Sequence, residues 1–295
     1  MNRIFILGIR IVFFSTLLSL PIFAQTIKRT PFDVSHYVMD VSLIPDERRM
    51  NATVDVTFNP QEDTRSVSFE LNGSLKVESV ARVGALAASA APVSPSPKST
   101  VKPPAPSSLT FIQDPTNSSD LGPHVRVDLG DNVVKGSPVT LRFKYSGVLD
   151  TPAGGPLLTK RLAYVGENSG YLMYAARWFP FNDYAADPAT SEITISLPTG
   201  LQPVGHSDVP VAATGGKYRF VNATPSLLGN FAYGRYTPKT LRISDQELLF
   251  FAKPGSDALI ARYGETLGKA LVFYTQKYGT ADNGKKLTVV QIDDE

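Results

Sequence analysis

The chain has 295 residues, of which 42% are hydrophobic and 19% charged, the balance of a globular protein with room for one large domain or two smaller ones. Its 29 basic residues nearly match its 27 acidic ones, so no basic surface for nucleic-acid phosphates is expected and nucleic acid is excluded as a partner. The absence of cysteine excludes disulfides and leaves stability to a packed core.

The first 24 residues have the pattern of a secretory signal peptide. Arg3 and Arg10 precede an apolar run from Ile11 to Leu20, and Ala24 is the expected cleavage position. This run is shorter than the roughly 20 residues of a membrane-spanning helix. We therefore predict that residues 1–24 are removed on export, that the mature protein is periplasmic or secreted, and that it keeps no transmembrane anchor.

From His36 onward, apolar and polar residues alternate, as in strands that bury one face. The clearest set is Ala52, Val54, Val56 and Phe58, and the same alternation returns at 67–71, 125–129, 139–145 and 193–197. Short strands separated by turns, with no helical period before about Gly255, predict an antiparallel β-sandwich or open sheet.

Residues 85–108 interrupt this pattern with a low-complexity stretch of Ala, Ser, Pro, Lys and Val. Such a composition does not bury enough apolar surface to fold alone. The stretch is interpreted as a surface insertion between two strands of one sheet, because the same alternation resumes after it. The alternative is a linker between domains or a proline-rich segment that binds a partner.

The periodicity changes after Ser256, which is placed to cap a helix that ends at Gly279. Apolar residues then recur every three or four positions, which predicts an amphipathic helix. They are Ile260, Tyr263, Leu267, Leu271, Tyr274 and Tyr278. A strand is predicted at 287–292. A helix and strand after an all-β region predict that a second, mixed unit begins near residue 241 and is incomplete.

Candidate catalytic or metal-binding residues are few. The histidines, His36, His124 and His206, are isolated, and no His-Glu-x-x-His motif is present to hold zinc. There is no cysteine nucleophile and no Gly-x-Ser-x-Gly elbow. The acidic residues 293–295 are interpreted as solvated rather than as a cation site. The sequence thus predicts no catalytic or metal-binding residue in this chain.

The least ordinary segment runs from Tyr171 to Tyr184 and holds six aromatic residues, including the only tryptophan. One interpretation is a platform on which sugars or peptide side chains stack, with Arg177 and Asp183 as polar contacts. The other is an inter-sheet core in which the rings pack and Arg177 pairs with Asp183 or Asp187. The residues alone leave both open.

The same segment carries a family resemblance. The run Arg177-Trp178-Phe179-Pro180, followed by Asp183, a strand at 189–197 and a Pro-Thr-Gly turn, resembles the amino-terminal domain of the M1 zinc aminopeptidases. Residues 141–147 and 228–236 are similar to strands of that domain. The helix near 257–278 and the strand 286–292 resemble the opening of the family's thermolysin-like catalytic domain. Five motifs in the family's order cover nearly the whole mature chain.

This resemblance implies a β-sandwich of saddle-like shape over 25–240, with 85–108 as an insertion loop, and an incomplete α/β catalytic domain over 241–295. It implies zinc and a peptide substrate only in a longer parent, since the family's Gly-Ala-Met-Glu-Asn and His-Glu-x-x-His motifs are absent. The motif positions Arg177, Trp178, Phe179, Pro180 and Asp183 are expected to be structural. Leu172 stands where the family usually has the Gln or Glu that binds the substrate amine, and Glu167 lies nearby.

Two functions follow. In the first, the chain is the non-catalytic scaffold of an exported M1-like zinc metallopeptidase, packs on its own catalytic domain and is inactive alone. In the second, it is a non-catalytic extracytoplasmic β-sandwich that binds polysaccharide or a protein partner through the Tyr171–Tyr184 aromatics. The two are separated by whether a His-Glu-x-x-His motif is encoded further along.

Overall fold

The computed structural model describes residues 31–84, 107–114, 124–149, 161–182, 187–280 and 285–292. Several predicted features lie outside these ranges, namely the signal peptide at 1–24, most of the insertion at 85–108, the motif residue Asp183 and the acidic residues 293–295. The expectations for these segments stay predictions.

The described residues are mainly β-structure with one α-helix, which confirms the predicted fold class. The helix is α1 (Asp257–Tyr278). In chain order, the strands are β1 (Phe32–Ile44), β2 (Arg49–Pro60), β3 (Thr64–Glu70), β4 (Lys76–Val83), β5 (Ser107–Leu109), β6 (Phe111–Gln113), β7 (His124–Val133), β8 (Val139–Val148), β9 (Ala163–Val165), β10 (Ser169–Leu172), β11 (Ala189–Ser196), β12 (Gln202–Gly205), β13 (Ala212–Thr214), β14 (Lys217–Ser226), β15 (Phe231–Gly234), β16 (Thr237–Ile243), β17 (Gln246–Ala252) and β18 (Lys286–Val290).

One large sheet has eight strands in the order β13-β14-β11-β1-β2-β8-β4-β5. Neighbouring strands are antiparallel except at the centre, where β1 and β11 run parallel with His36 opposite Thr190. The sequence predicted antiparallel strands only. The difference arises because alternation reveals which face of a strand is buried and carries no information about the direction of its neighbour.

The predicted alternation of β2 is confirmed, because its inward-facing apolar residues are at most 7% exposed. They are Ala52, Val54, Val56 and Phe58. On the outer face, Asp55 is only 5% exposed because the Arg142 guanidinium donates to both of its carboxylate oxygens, at 2.7 and 2.6 Å. The one buried charge of this strand is therefore paired.

Two smaller sheets, β3-β7-β6 and β12-β15-β10-β9, pack on the inner face of the large sheet. Phe69 of β3 contacts Phe143 of β8 at 5.1 Å between ring centroids, and Phe231 of β15 contacts Phe220 of β14 at 5.0 Å. Both contacts are edge-on, the geometry that aromatic rings favour in cores. The layers form the predicted sandwich around a single apolar cluster.

The predicted insertion separates two neighbouring strands of the large sheet. Val80 of β4 lies opposite Leu109 of β5, and Ala81 lies opposite Ser108. The end of the predicted segment is two residues too late, since Ser107 and Ser108 belong to β5. A connection between adjacent strands of one sheet has the topology of an insertion rather than of a link between two domains.

The third small sheet, β16-β17-β18, carries α1 on one face. Strands β16 and β17 form an antiparallel hairpin, and β18 runs parallel to β17 after the helix, as a β-α-β connection requires. The predicted boundary between residues 240 and 241 falls inside β16, so a division of the chain, which stays a prediction, fits better before Thr237. In the part of the chain that the structure describes, no helix has the length and hydropathy to cross a membrane.

The buried face of α1 differs from the predicted one. Gly264 and Gly268 are its buried residues, whereas the predicted face members Tyr263, Tyr274 and Tyr278 are exposed. A Cβ on Gly264 would lie 2.4 Å from Leu241 Cδ2, so glycine permits the helix to lie close to the sheet. A periodicity that counts large apolar residues misses a face built on glycine.

The predicted cap of α1 is also wrong in its chemistry. Ser256 stands at the amino-terminal boundary of the helix but makes no side-chain capping bond. Its hydroxyl donates instead to Gln291 Oε1 at 2.9 Å, and Gln291 also accepts from the backbone N–H of Lys253 at 3.0 Å. The serine thus ties the helix start to the chain that follows β18. At the other end, Gly279 has a φ of 90° and ends the helix as predicted.

Candidate functional site

The described part of the predicted motif, Arg177-Trp178-Phe179-Pro180, follows β10 where the chain makes a 3-10 turn at Ala175–Arg177. Tyr174, just before the turn, has a φ of 62°, a left-handed value that non-glycine residues seldom adopt. All four motif residues are buried. The turn therefore directs the motif into the core rather than toward solvent.

Trp178 is held from two sides. Its indole Nε1 donates to the carbonyl oxygen of Gly229 at 3.1 Å, and its own carbonyl accepts from the Tyr145 hydroxyl at 2.8 Å. Its ring packs edge-on against Phe179 and Phe231. These bonds satisfy the polar atoms of two buried aromatic residues and connect the turn to the large sheet and to the chain before β15.

The sugar-stacking interpretation of the Tyr171–Tyr184 segment is wrong for four of its five described rings, which are buried. Trp178 and Phe179 are 0% exposed, Tyr171 is 2% exposed and Phe181 is 5% exposed. Tyr174 is half-buried, and Tyr184 lies outside the described residues. A ring must present its face to solvent to stack on a sugar, and the four buried rings do not. Three of them, Trp178, Phe179 and Phe181, pack against one another in the core.

Arg177 is buried, with 5% of its surface exposed, and its Nε has no hydrogen-bond partner in the described part of the chain. The expected pairing with Asp187 is not made, because the Asp187 carboxylate accepts from the backbone N–H of Val34 at 3.1 and 3.2 Å. Asp183, the other expected partner, lies outside the described residues. No ion pair between described residues includes Arg177, so its position costs desolvation energy.

Leu172, at the position of the family's amine-binding residue, faces the core. It lies in β10 between Ala163 and Phe231 and is 1% exposed. Glu167, the nearby carboxylate, is exposed in the turn between β9 and β10. Neither side chain lines the cleft described next, and the first residue after β10 that does is Met173.

A cleft of ≈ 520 Å³ opens between the four-stranded sheet and β18. One wall comes from the end of β10 and from β12 and β15, and it includes Met173, Val204, His206 and Phe231. The other wall is the outer side of β18 and its extension. Its residues alternate along the chain, as the period of a strand requires, and they are Lys286, Thr288, Val290 and Ile292.

The described rim of the cleft carries the polar side chains of His206 and Lys286, each beside a carboxylate. His206 Nε2 lies 3.1 Å from Asp208 Oδ1, and a hydrogen bond from the backbone N–H of Thr224, followed by the one to His206, lowers the pKa of Asp208. The Asp208 carboxylate is therefore charged at neutral pH. Lys286 Nζ lies 3.8 Å from Glu247, which also accepts from Arg242. Apolar floors with polar rims are typical of ligand clefts.

Within the described ranges, no cluster of three or more His, Asp or Glu side chains is arranged to hold a metal ion. His36 Nδ1 lies 2.7 Å from Thr190 Oγ1 on the outer face of the large sheet, and burial lowers its pKa. His124 lies in β7 and His206 in the cleft rim. The residues present do not fit a zinc site, and no catalytic step is assigned to them.

Sequence reasoning missed the cleft because its walls are far apart in the chain. The signal that was available is the alternation of β18, in which Lys286, Thr288 and Val290 share a face. That alternation identifies a strand with one polar side and gives no indication that the side faces Val204 and His206.

The chain matches no model of a known protein family, and no curated protein matches it. Solved structures do match. An M1 zinc metallopeptidase from Deinococcus radiodurans superposes with a TM-score of 0.63 at 16% identity and covers 89% of this chain and 57% of its own. A mutant of that enzyme bound to a Tyr-Ser-Ala substrate gives 0.62 at 17% identity over 88% and 56%.

Aminopeptidase A from Legionella pneumophila, solved in complex with aspartic acid, has a TM-score of 0.65 at 12% identity, over 91% of this chain and 29% of its own. The chain thus spans little more than half of the Deinococcus enzyme and under a third of the Legionella one. At these identities the likeness establishes the fold. The chain has the fold of part of the M1 zinc metallopeptidases.

Proposed function

We propose that the chain is the scaffold portion of an exported M1-like zinc metallopeptidase whose longer parent hydrolyses peptides in the manner of an aminopeptidase. The observation that carries the proposal is the fold, which M1 zinc metallopeptidases share over 88 to 91% of this chain. The zinc, the water that it activates and the general-base glutamate belong to the parent's catalytic domain.

The exposed side of α1 supports this proposal. Apolar side chains there are 48 to 71% exposed, and three of them contact one another as stacked or edge-on rings. They are Leu259, Tyr263, Phe273, Tyr274 and Tyr278. Monomeric proteins seldom expose so large an apolar patch without a partner. A catalytic domain that packs over this side of α1 would bury it, as the two-layer rule for α/β units requires.

The cleft supports the proposed scaffold role. Its walls come from the β-sandwich and from the strand after α1, so a peptide in it would contact both units. In this proposal the sandwich walls off one end of a peptide cleft and packs on the catalytic domain, and the chain alone is inactive. Removal of residues 1–24 would place the protein in the periplasm or outside the cell.

The aromatic binding module is a weaker candidate. It needs the rings of Tyr171–Tyr184 at the surface, and four of the five described ones are buried. Nothing in the described segment favours it over the scaffold role.

The test is to read the encoding DNA beyond the codon for Glu295 and to assay the full-length product and the 295-residue chain side by side on aminoacyl p-nitroanilides. The expected result is a downstream His-Glu-x-x-His motif, hydrolysis by the full-length protein that a chelator abolishes and zinc restores, and none by the chain alone. A stop codon directly after residue 295, or full-length activity that a chelator leaves unchanged, would overturn the proposal.

A further inference from the structure

The outer face of the large sheet, turned away from the core, carries a groove of ≈ 430 Å³. It lies on the four consecutive strands β1, β2, β8 and β4, on the opposite face from the sandwich core, and the proposed peptidase role does not use it. Seven polar side chains of the outer face line it: Asp40, Ser42, Asn51, Thr53, Glu78, Lys144 and Ser146.

The strand register arranges these groups in rows. Two rows cross β1, β2 and β8, with Asp40, Thr53 and Lys144 in one and Ser42, Asn51 and Ser146 in the next. Strands in a sheet are about 4.8 Å apart, so the strands that carry the carboxylate and the ammonium group are separated by about 9.6 Å. This span suits a ligand the width of a sugar ring with a hydrogen bond on each side.

Polar groups elsewhere on the same face bond to each other. Close pairs flank the groove, at 2.6 to 2.9 Å, namely Asp55 with Arg142, Thr57 with Thr140, His36 with Thr190, and Glu192 with Arg219. Inside the groove, the side chains of Asp40, Asn51 and Lys144 make no hydrogen bond or ion pair with any other described residue. Their hydrogen-bonding capacity is therefore directed outward.

The chemistry of these groups selects the ligand. The carboxylate of Asp40 accepts, the ammonium of Lys144 donates, and Asn51 does both, which matches hydroxyl groups that each donate and accept. The charges of Asp40 and Lys144 cancel, and the Glu78 carboxylate, which accepts from Ser146 at 2.6 Å, adds a negative charge that disfavours phosphates and uronic acids. We propose that this groove binds a neutral glycan, with a sugar unit held between Asp40 and Lys144.

The experiment titrates the isotope-labelled chain with four neutral hexasaccharides, cellohexaose, chitohexaose, maltohexaose and mannohexaose, and follows backbone amide shifts by NMR. An acidic galacturonate hexamer and an acetylated Ala-Ser hexapeptide are the comparison probes. The variants are Asn51→Ala in the groove and Asn59→Ala, the same residue type at the far end of β2. Thermal melting of both variants confirms that they fold.

The expected result is that at least one neutral hexasaccharide shifts amides of β1, β2 and β8 around the groove, that Asn51→Ala weakens its binding about tenfold, and that Asn59→Ala leaves it unchanged. Three outcomes would overturn the proposal: no shift with any neutral hexasaccharide, equal losses in the two variants, or equal binding of the acidic or peptide probe. Each is independent of whether the parent hydrolyses peptides.

Discussion

Tyr37 and Tyr145 both bury a phenol hydroxyl in the same core, but only the hydroxyl of Tyr145 is hydrogen-bonded within the described residues. Both residues are 1% exposed, and burial raises the pKa of both phenols, so both are neutral at physiological pH. The Tyr145 hydroxyl donates to the carbonyl of Trp178 at 2.8 Å, whereas the Tyr37 hydroxyl has no hydrogen-bond partner among the described residues. The single change Tyr→Phe therefore tests what a buried hydrogen bond contributes here.

The expected change in unfolding free energy depends on which buried group loses its hydrogen-bond partner. Tyr145→Phe removes the donor and leaves the buried carbonyl of Trp178 without it, which costs about 1–3 kcal/mol of unfolding free energy. Tyr37→Phe removes a hydroxyl that is already desolvated and unbonded, so its effect is expected to lie within about 0.5 kcal/mol of zero or to stabilise. The two variants lose the same atom from equally buried sites, so packing losses cancel in their difference.

The assay is urea unfolding followed by the fluorescence of Trp178, the only tryptophan in the chain. We expect the midpoint of Tyr145→Phe to fall while that of Tyr37→Phe stays or rises, with unchanged m-values. Equal destabilisation of the two variants, or a larger loss for Tyr37→Phe, would refute the hydrogen-bond reasoning and indicate that ring packing dominates at both positions.

Three further changes follow from the same contacts. Gly268→Val places a Cβ 2.5 Å from Ile243 Cγ1 and should cost about 1–3 kcal/mol, measured by urea unfolding. Asp55→Ala leaves Arg142 unpaired on the outer face and should cost about 2 kcal/mol, less than a fully buried pair because the arginine side chain is 37% exposed. Because burial holds the pKa of His36 below its value of 6.5, its contribution to stability is present above pH 6.5 and is lost as pH falls toward the folded pKa, which melting between pH 7.5 and 5.5 measures.

Each of these changes has a matched control. Ala270→Val, at a half-buried position on the side of the same helix away from Gly268, should cost under about 1 kcal/mol, and an equal loss in both helix variants would contradict close packing at Gly268. Asp128→Ala breaks an exposed pair with Arg65 and should have little effect. His36→Gln should flatten the pH dependence of melting, and an unchanged profile would contradict the role assigned to that histidine.

Alternation along the chain was enough to predict the sandwich, because each strand with one buried face repeats with a period of two. It did not predict the parallel pairing of β1 with β11, since direction is set by a partner about 150 residues away. The face of α1 was predicted from its large apolar residues, and the structure uses Gly264 and Gly268 instead. Glycine leaves no apolar signal, so only the packed structure identifies it as a contact surface.

The candidate cleft also could not be predicted from the sequence. The aromatic segment stood out in composition, and four of its five described rings are buried. The cleft residues are ordinary by type, and His206 and Thr288 come together only because two sheets meet there. Clusters of unusual composition are thus a better guide to packing in this chain than to its surface chemistry.

The parallel pairing of β1 with β11 imposes an order on folding during synthesis. Strand β1 is synthesised early and can pair with β2 as soon as β2 follows it. Its other edge stays unpaired until β11 has been synthesised. During that interval an apolar strand offers unpaired backbone groups to any other nascent chain. The protein is therefore most prone to mispairing during synthesis. Substitutions that delay the pairing of β11 with β1 should lower the yield of folded protein without changing its final structure.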